Sequence, residues 1–190
     1  SLFAQGIVVL QVSFIDSTDN IDATSWHAIT GTDHPFTRYE FLQAMEHSGA
    51  TTGHSGWQPH HLLVHRNNQL IALMPLFLKS HSYGEFVFDW SWADAYRQHG
   101  LAYYPKLLAA IPYTPATGPR LCIKPGEITE LIVEQVVSSL YREANTTGAS
   151  SIHILFPEPH MKDHFRQQGL LPRMGVQFHW FNHGFNHFDD

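Results

Sequence analysis

The stretch that decides the fold is Gly126-Glu127-Ile128-Thr129-Glu130-Leu131-Ile132-Val133-Glu134-Gln135-Val136-Val137-Ser138-Ser139-Leu140-Tyr141-Arg142-Glu143-Ala144, with Gly148 and then Ser151-Ile152-His153-Ile154-Leu155-Phe156-Pro157 close behind. Ile128, Leu131, Ile132, Val136, Leu140 and Ala144 recur at helical spacing and form one apolar stripe. Glu127 and Glu130 stand at the positive end of that helix and Arg142 at its negative end, as the peptide dipole favours. Gly148 supplies the stop. The apolar run at 151–156, closed by Pro157, reads as a short buried strand. A long amphipathic helix leading into a buried strand belongs to an α/β architecture, where helices cover a sheet.

Downstream, 158–168 reads as a shorter helix stopped by Gly169, and 173–181 as a last strand. Upstream, the β-branched run 7–15 reads as a strand ending at the turn-like Asp16-Ser17-Thr18-Asp19-Asn20. A short helix is expected over 22–29. A second is expected over 35–48, with Pro35 in its first turn, Gly49 at its end, and Phe36, Tyr39, Leu42 and Met45 recurring every three residues. Two apolar runs, 60–66 and 70–79, flank Asn67-Asn68, and Asn tolerates the positive φ of a tight hairpin. Pro75 cannot donate to a ladder, so it marks an edge or a bulge in the second strand. A short helix over 89–99 and a strand over 106–113 complete the order. The expected fold is α/β, with a mixed central sheet flanked by helices.

The bulk numbers fit one such domain. The chain has 190 residues, 43% hydrophobic and 15% charged, with 13% aromatic. The formal net charge of −6 excludes DNA binding by a general basic face, although 15 His could erase that charge in mild acid. A single cysteine, Cys122, rules out a disulfide within the chain and favours a reducing, cytoplasmic setting. The apolar start Ile7-Val8-Val9-Leu10 is too short to span a membrane and lacks a basic leader.

Local segments carry a resemblance. His81-Ser82-Tyr83-Gly84-Glu85-Phe86-Val87-Phe88-Asp89-Trp90, Tyr103-Tyr104-Pro105-Lys106-Leu107, Thr114-Pro115-Ala116-Thr117-Gly118-Pro119-Arg120-Leu121 and Gln177-Phe178-His179-Trp180-Phe181-Asn182 resemble the signature segments of a bacterial FemAB-like family of predicted N-acyltransferases. The resemblance runs from about Val12 onward and implies a GNAT-like (acyl-CoA N-acyltransferase) fold and a link to peptidoglycan. Members of that family are about twice as long and resemble two GNAT-like domains in tandem. The resemblance therefore implies that residues 1–190 are a single GNAT-like domain, the N-terminal half, with the C-terminal half as its partner. The 178–188 aromatics are then expected to face that half, leaving an apolar patch and a tendency to self-associate. The implied donor is acyl-CoA or aminoacyl-tRNA, and the implied acceptor a small molecule or a peptidoglycan precursor. One departure stands out. Ordinary GNAT enzymes hold the CoA pyrophosphate on Arg/Gln-x-x-Gly-x-Gly/Ala before the long helix. Here that place is Gly118-Pro119-Arg120-Leu121-Cys122-Ile123-Lys124-Pro125-Gly126, whose prolines remove donors.

Acyl transfer to an amine needs a base for the amine proton, donors for the tetrahedral oxyanion, and an acid for the leaving group. Glu85, Asp89 and Asp94 are candidate bases, and Tyr83, Tyr103 and Tyr104 candidate acids or oxyanion donors. Asp89 and Asp94 could equally be helix caps or surface charges, and the tyrosines packing. Trp90, Trp92, Tyr103, Tyr104 and Lys106 are candidate substrate contacts, with Trp57 beside them in a recognition role. Thr114, Gly118 and Arg120 form a second set, either a ligand loop with Arg120 as a fork for carboxylate or phosphate, or a rigid turn with a structural arginine. His60, His61 and His65, like His179, His183 and His187, lack an acidic or Cys ligand at metal-site spacing, so no metal is expected. Cys122 lies in an apolar run and reads as core.

Overall fold

The computed structural model describes residues 9–176 and 178–187. The elements in chain order are β1 (Leu10–Ile15), α1 (Ala23–Thr30), α2 (Tyr39–His47), β2 (Trp57–Pro59), β3 (His61–Arg66), β4 (Gln69–Met74), β5 (Phe77–Lys79), α3 (Trp90–Gln98), β6 (Lys106–Ala109), β7 (Cys122–Ile123), α4 (Thr129–Thr147), β8 (Ile152–Ile154) and α5 (Pro159–Gln167). Short 3-10 turns at Thr18–Asn20 and Pro35–Thr37 precede α1 and α2. Arg38 is extended, with ψ 142, so the helix expected over 35–48 splits there. Asp22 caps α1 by accepting from the Ser25 amide.

The strands form two four-stranded sheets, β1-β3-β4-β7 and β2-β5-β6-β8. Every pairing is antiparallel except β6–β8. The same three passes of chain, 57–66, 69–79 and 106–123, run through both, so the two behave as one sheet kinked along a seam. Pro75 breaks the middle pass because it has no N–H for a ladder. His60 N–H donates to Leu76 O across the seam at 2.8 Å, and Leu76 N–H to His61 Nδ1 at 3.2 Å. Asn67 and Asn68, at φ 50 and 63, make the hairpin turn between β3 and β4.

Both faces of the sheet are covered. Leu62, Val64, Ile71 and Leu107 pack with Ile132, Val136, Leu140 and Phe165 on the side of α4 and α5. Leu63, Leu73, Phe77 and Leu108 pack with Trp26, Ile29 and Leu42 on the side of α1 and α2. Neighbouring residues of one strand thus serve opposite layers, as the strand pleat requires. α4 starts at Thr129, later than its stripe suggests. Ile128 and Leu131 are exposed, while Val133 and Val137 are buried in their place. Gly148 closes it in the left-handed region at φ 71, its N–H bonded to Ala144 O.

The strand expected over 173–181 is absent among the described residues. Met174, Val176, Phe178 and Trp180 alternate like a strand but lie exposed, and Gln177 falls outside the described residues. A period of two satisfies the side chains only. The backbone also needs a neighbouring ladder, and no described strand pairs with this segment. Of the first expected strand, Ile7 and Val8 lie outside the described residues. Among the described residues, no helix is long and apolar enough to cross a membrane.

Candidate active site

The register of β5 and β6 sets Lys79 directly opposite Lys106. Both side chains are fully buried. Two ammonium groups facing each other across a pair of strands repel, and burial strips their water, so carboxylates are needed nearby. Segment 82–89 folds back over the strands and supplies them. Its turn passes through Gly84 at φ 79 and Phe86 at φ 58. A Cβ on Gly84 would lie 2.6 Å from the Tyr113 ring, so only glycine fits. Trp57 Nε1–H and Lys79 Nζ both donate to Tyr83 O at 3.2 Å and pin the turn from below. Lys79 Nζ also sits 3.9 Å over the Trp57 ring.

Lys106 Nζ gives hydrogen bonds to Ser82 Oγ at 2.8 Å, Glu85 Oε2 at 2.8 Å and Asp89 Oδ2 at 2.6 Å, which uses all three of its hydrogens. Tyr103 OH donates to Asp89 Oδ2 at 2.7 Å, and Tyr104 OH lies 2.8 Å from Ser82 Oγ. Glu85 Oε1 and Asp89 Oδ1 are buried with no hydrogen-bond partner among the described residues. Two open acceptors therefore remain on an otherwise saturated cluster.

Burial, reinforced by Asp89, raises the Glu85 carboxyl against the pull of Lys106 and Lys79. Burial acts on Asp89 in the same sense, but hydrogen bonds from Lys106 and Tyr103 outweigh it and hold that carboxyl below its usual value. Burial and the neighbouring Asp89 push the Tyr103 phenol well up. Burial, with repulsion from Lys106, brings Lys79 down to about 7 despite Glu85. His153 on β8 falls to about 4, by burial and then by Lys106. Groups pushed apart in this way within one cluster are what acid–base chemistry requires, although structural ion-pair networks produce shifts too.

Of the residues expected from sequence, Glu85, Asp89, Tyr103, Tyr104 and Lys106 come together here. Asp89 occupies the cap position of α3, yet its side chain makes no capping bond and turns to Lys106 instead. Asp94 pairs with Arg97 at 2.9 Å on the exposed surface of α3, away from the cluster. Tyr83 joins only through its carbonyl. Its ring is 67% exposed and packs against Trp90 at 5.2 Å between centroids. Trp90 and Trp92 are also exposed, with Arg173 over the Trp92 ring at 5.7 Å. Trp57 is buried beneath the turn.

The second set, Thr114, Gly118 and Arg120, lies in the loop 110–121 between β6 and β7. Arg120 is buried and points at carbonyls, not at an open fork. Its Nε donates to Leu155 O at 2.7 Å, one terminal nitrogen to Ala116 O at 2.6 Å and the other to Pro119 O at 3.2 Å. Gly118 N–H donates to Phe156 O at 3.2 Å, and a Cβ there would meet His34 Nε2 at 2.3 Å. The loop is thus laced to the chain beyond β8. Beside it the void lined by Phe36, Pro75, Ala110, Pro119 and Arg120 is about 10 Å³, room for one water. Cys122 is buried, its thiol pushed up to about 12 by burial. Sequence reading missed Lys79, Ser82 and His153. Two lysines bordering the apolar runs Leu76-Phe77-Leu78 and Leu107-Leu108 were the available signal.

A family model described as FemAB-like, peptidoglycan biosynthesis/recognition, matches residues 17–190. No curated protein matches the sequence. Among solved structures, the aminoglycoside N-acetyltransferase AAC(6′)-Iy in complex with CoA superposes with a TM-score of 0.57 at 10% identity, covering 95% of this chain and 99% of that one. The ribosomal-protein-alanine N-acetyltransferase of Brucella melitensis biovar Abortus 2308 gives 0.55 at 8% identity, covering 91% and 100%. AAC(6′)-IG of Acinetobacter haemolyticus gives 0.52 at 10% identity, covering 90% and 98%. At such identities these likenesses show the fold, that of GNAT N-acetyltransferases.

Proposed function

This chain belongs to the FemAB-like family, and on that premise we propose that it transfers an acyl or aminoacyl group to an amine, in the cytoplasm, with a peptidoglycan precursor as acceptor. The observation that carries the proposal is the Lys106 cluster with its two unengaged carboxylate oxygens. Glu85 takes the proton of the acceptor amine at Oε1, and its raised basicity suits that task. The freed nitrogen attacks the acyl carbonyl, and the tetrahedral intermediate collapses with loss of a thiol or a hydroxyl that takes the proton back from Glu85. Asp89 stays ionised and balances Lys106. Lys106, whose three hydrogens go to Ser82, Glu85 and Asp89, favours the developing oxyanion by its charge and not by a hydrogen bond. Tyr103 holds its proton too tightly to serve as the acid and instead positions Asp89.

The donor is an acyl thioester or an aminoacyl ester. Acyl-CoA is supported by the CoA held in one structural neighbour. At the start of α4 no side chain caps the first turn, which leaves amides for an anion. Against a diphosphate stand Glu127 and Glu130. Arg66 is taken up by Glu127 through two bonds of 2.6 Å. The segment does not form a pyrophosphate cradle as it stands.

The test is turnover with acyl-CoA and aminoacyl-tRNA donors on amine acceptors. Glu85→Gln should lower kcat by about 100-fold or more with folding intact. Unchanged turnover in that variant, or none by the unaltered protein across the donor panel, removes the proposal. A recognition role is the second reading. It is favoured by the outward Tyr83, Phe86, Phe88, Trp90 and Trp92 beside carboxylates that solvent barely reaches. Muropeptide binding indifferent to CoA, without turnover, would select it.

A further inference from the structure

Residues 81–102 are inside out. The only fully buried residues among them are Ser82, Glu85 and Asp89, all polar. The large apolar side chains, Tyr83, Phe86, Phe88, Trp90, Trp92 and Leu101, are exposed. α3 has no buried residue at all. Every backbone–backbone hydrogen bond made by 81–102 stays inside the segment, as in Asp89 to Val87 or Leu101 to Tyr96, and none joins it to the rest among the described residues. What holds it is a handful of side-chain bonds from below. Lys106 reaches Ser82, Glu85 and Asp89, Lys79 and Trp57 reach the Tyr83 carbonyl, Tyr103 reaches Asp89, and Tyr104 reaches Ser82. Val87 packs, half-buried, against the core, and Tyr96 sets its ring edge-on to buried Tyr103 at 5.1 Å between centroids.

Apolar burial is the main force that keeps segments attached to a fold, and here it is nearly absent. The polar contacts converge on two lysines. At the same time the segment covers the carboxylates on which acyl transfer would depend, since Glu85 and Asp89 are almost inaccessible while it lies down. Gly84 at φ 79 near one end and Gly100 at φ 70 near the other give it backbone freedom.

We propose that residues 81–102 are a lid over the Lys106 cluster, pinned by Lys106 and Lys79, and that the lid lifts as one unit to admit substrate to Glu85 and Asp89. The admission of substrate rests on the acyltransferase reading, whereas the lifting is a property of the fold and is measured without turnover. The charged and titratable groups facing the pins are His81, Glu85 and Asp89 from the lid, Tyr103 and Tyr104 from the chain leading into β6, and His153 from β8.

Hydrogen exchange read by mass spectrometry tests the lid. In the unaltered protein, amides of 81–102 should exchange together and faster than those of β3, β4 and α4. Lys106→Met should speed exchange of 81–102 by about tenfold or more beyond any acceleration it causes in β3 and β4. Tyr103→Phe, which removes one donor to Asp89 and is expected to fold normally, should do the same to a smaller degree. It decides the matter if the lysine variant fails to fold. Equal acceleration throughout the sheet, or no acceleration in 81–102 of Tyr103→Phe, overturns the lid. Selective acceleration in a protein that transfers no acyl group keeps the lid and removes the enzymatic reading.

Discussion

α4 and residues 81–102 attach to the same sheet by opposite means. α4 lays Ile132, Val133, Val136, Val137, Leu140 and Ala144 against the strands and leaves Glu130, Glu134 and Arg142 in water, with Glu143 half-buried against His60. The 81–102 segment lays down Ser82, Glu85 and Asp89 and leaves its aromatics in water. The first attachment is non-directional and indifferent to pH. The second is directional and depends on the protonation of Lys79, Glu85 and Asp89, three buried groups shifted from their ordinary values. The difference teaches where change can be tolerated. An apolar face loses stability gradually as it is trimmed, whereas a charge cluster fails when one member is removed and the others remain unpaired.

The largest test of that contrast is Lys106→Met. It strands two buried carboxylates and should cost about 3–5 kcal/mol in chemical denaturation. Adding Glu85→Gln and Asp89→Asn to it should recover part of the loss, because the stranded charges go with them. Next, Leu140→Ala on α4 should cost about 3 kcal/mol through lost burial and a cavity, by the same amount at every pH.

A pH series then separates the two regions by sign. Folded Lys79 titrates at about 7 against an ordinary 10.5. Between these values the unfolded chain binds a proton that the folded chain has shed, so this lysine makes stability rise with pH. Asp89, held below its usual value, adds stability that is lost as pH falls beneath 3.8. Glu85, raised above 4.5, contributes the reverse, losing stability as pH climbs through its folded value. Lys79→Met should flatten the rise in Tm between about pH 7 and pH 10. The smallest effect belongs to Gly148→Ala. It forces a Cβ into the left-handed cap of α4 and should cost about 1 kcal/mol by thermal melting, with no effect on 81–102.

The same contrast explains what the sequence disclosed. α4 was legible because its face repeats every three to four residues, and the Asn67-Asn68 hairpin because two asparagines favour the required φ. β2 and β7 were not, since runs of three and two residues carry no period. Alternation at 173–181 mimicked a strand because a sequence pattern shows side-chain direction and not whether a ladder partner exists. In the site, Glu85, Asp89, Tyr103, Tyr104 and Lys106 could be named because polar residues in aromatic surroundings draw notice. Lys79 could not be added without the β5–β6 register that sets it opposite Lys106. Arg120 stayed open between a ligand fork and a structural arginine because nothing in the residues around it tells that the Leu155 and Ala116 carbonyls will be its partners.

The facing lysines also constrain how the chain assembles. β5 and β6 are consecutive strands of their sheet, but zipping them together confronts one ammonium group with another. The stretch between them must deliver Glu85 and Asp89 at the moment of pairing. A one-residue slip of β6 would instead turn Lys106 to the opposite face, toward the layer of Leu107 and Ile132 and away from Glu85 and Asp89. The intervening loop therefore acts as a proofreader of strand register, and a nascent chain cannot consolidate the middle of this sheet until residue 106 has emerged.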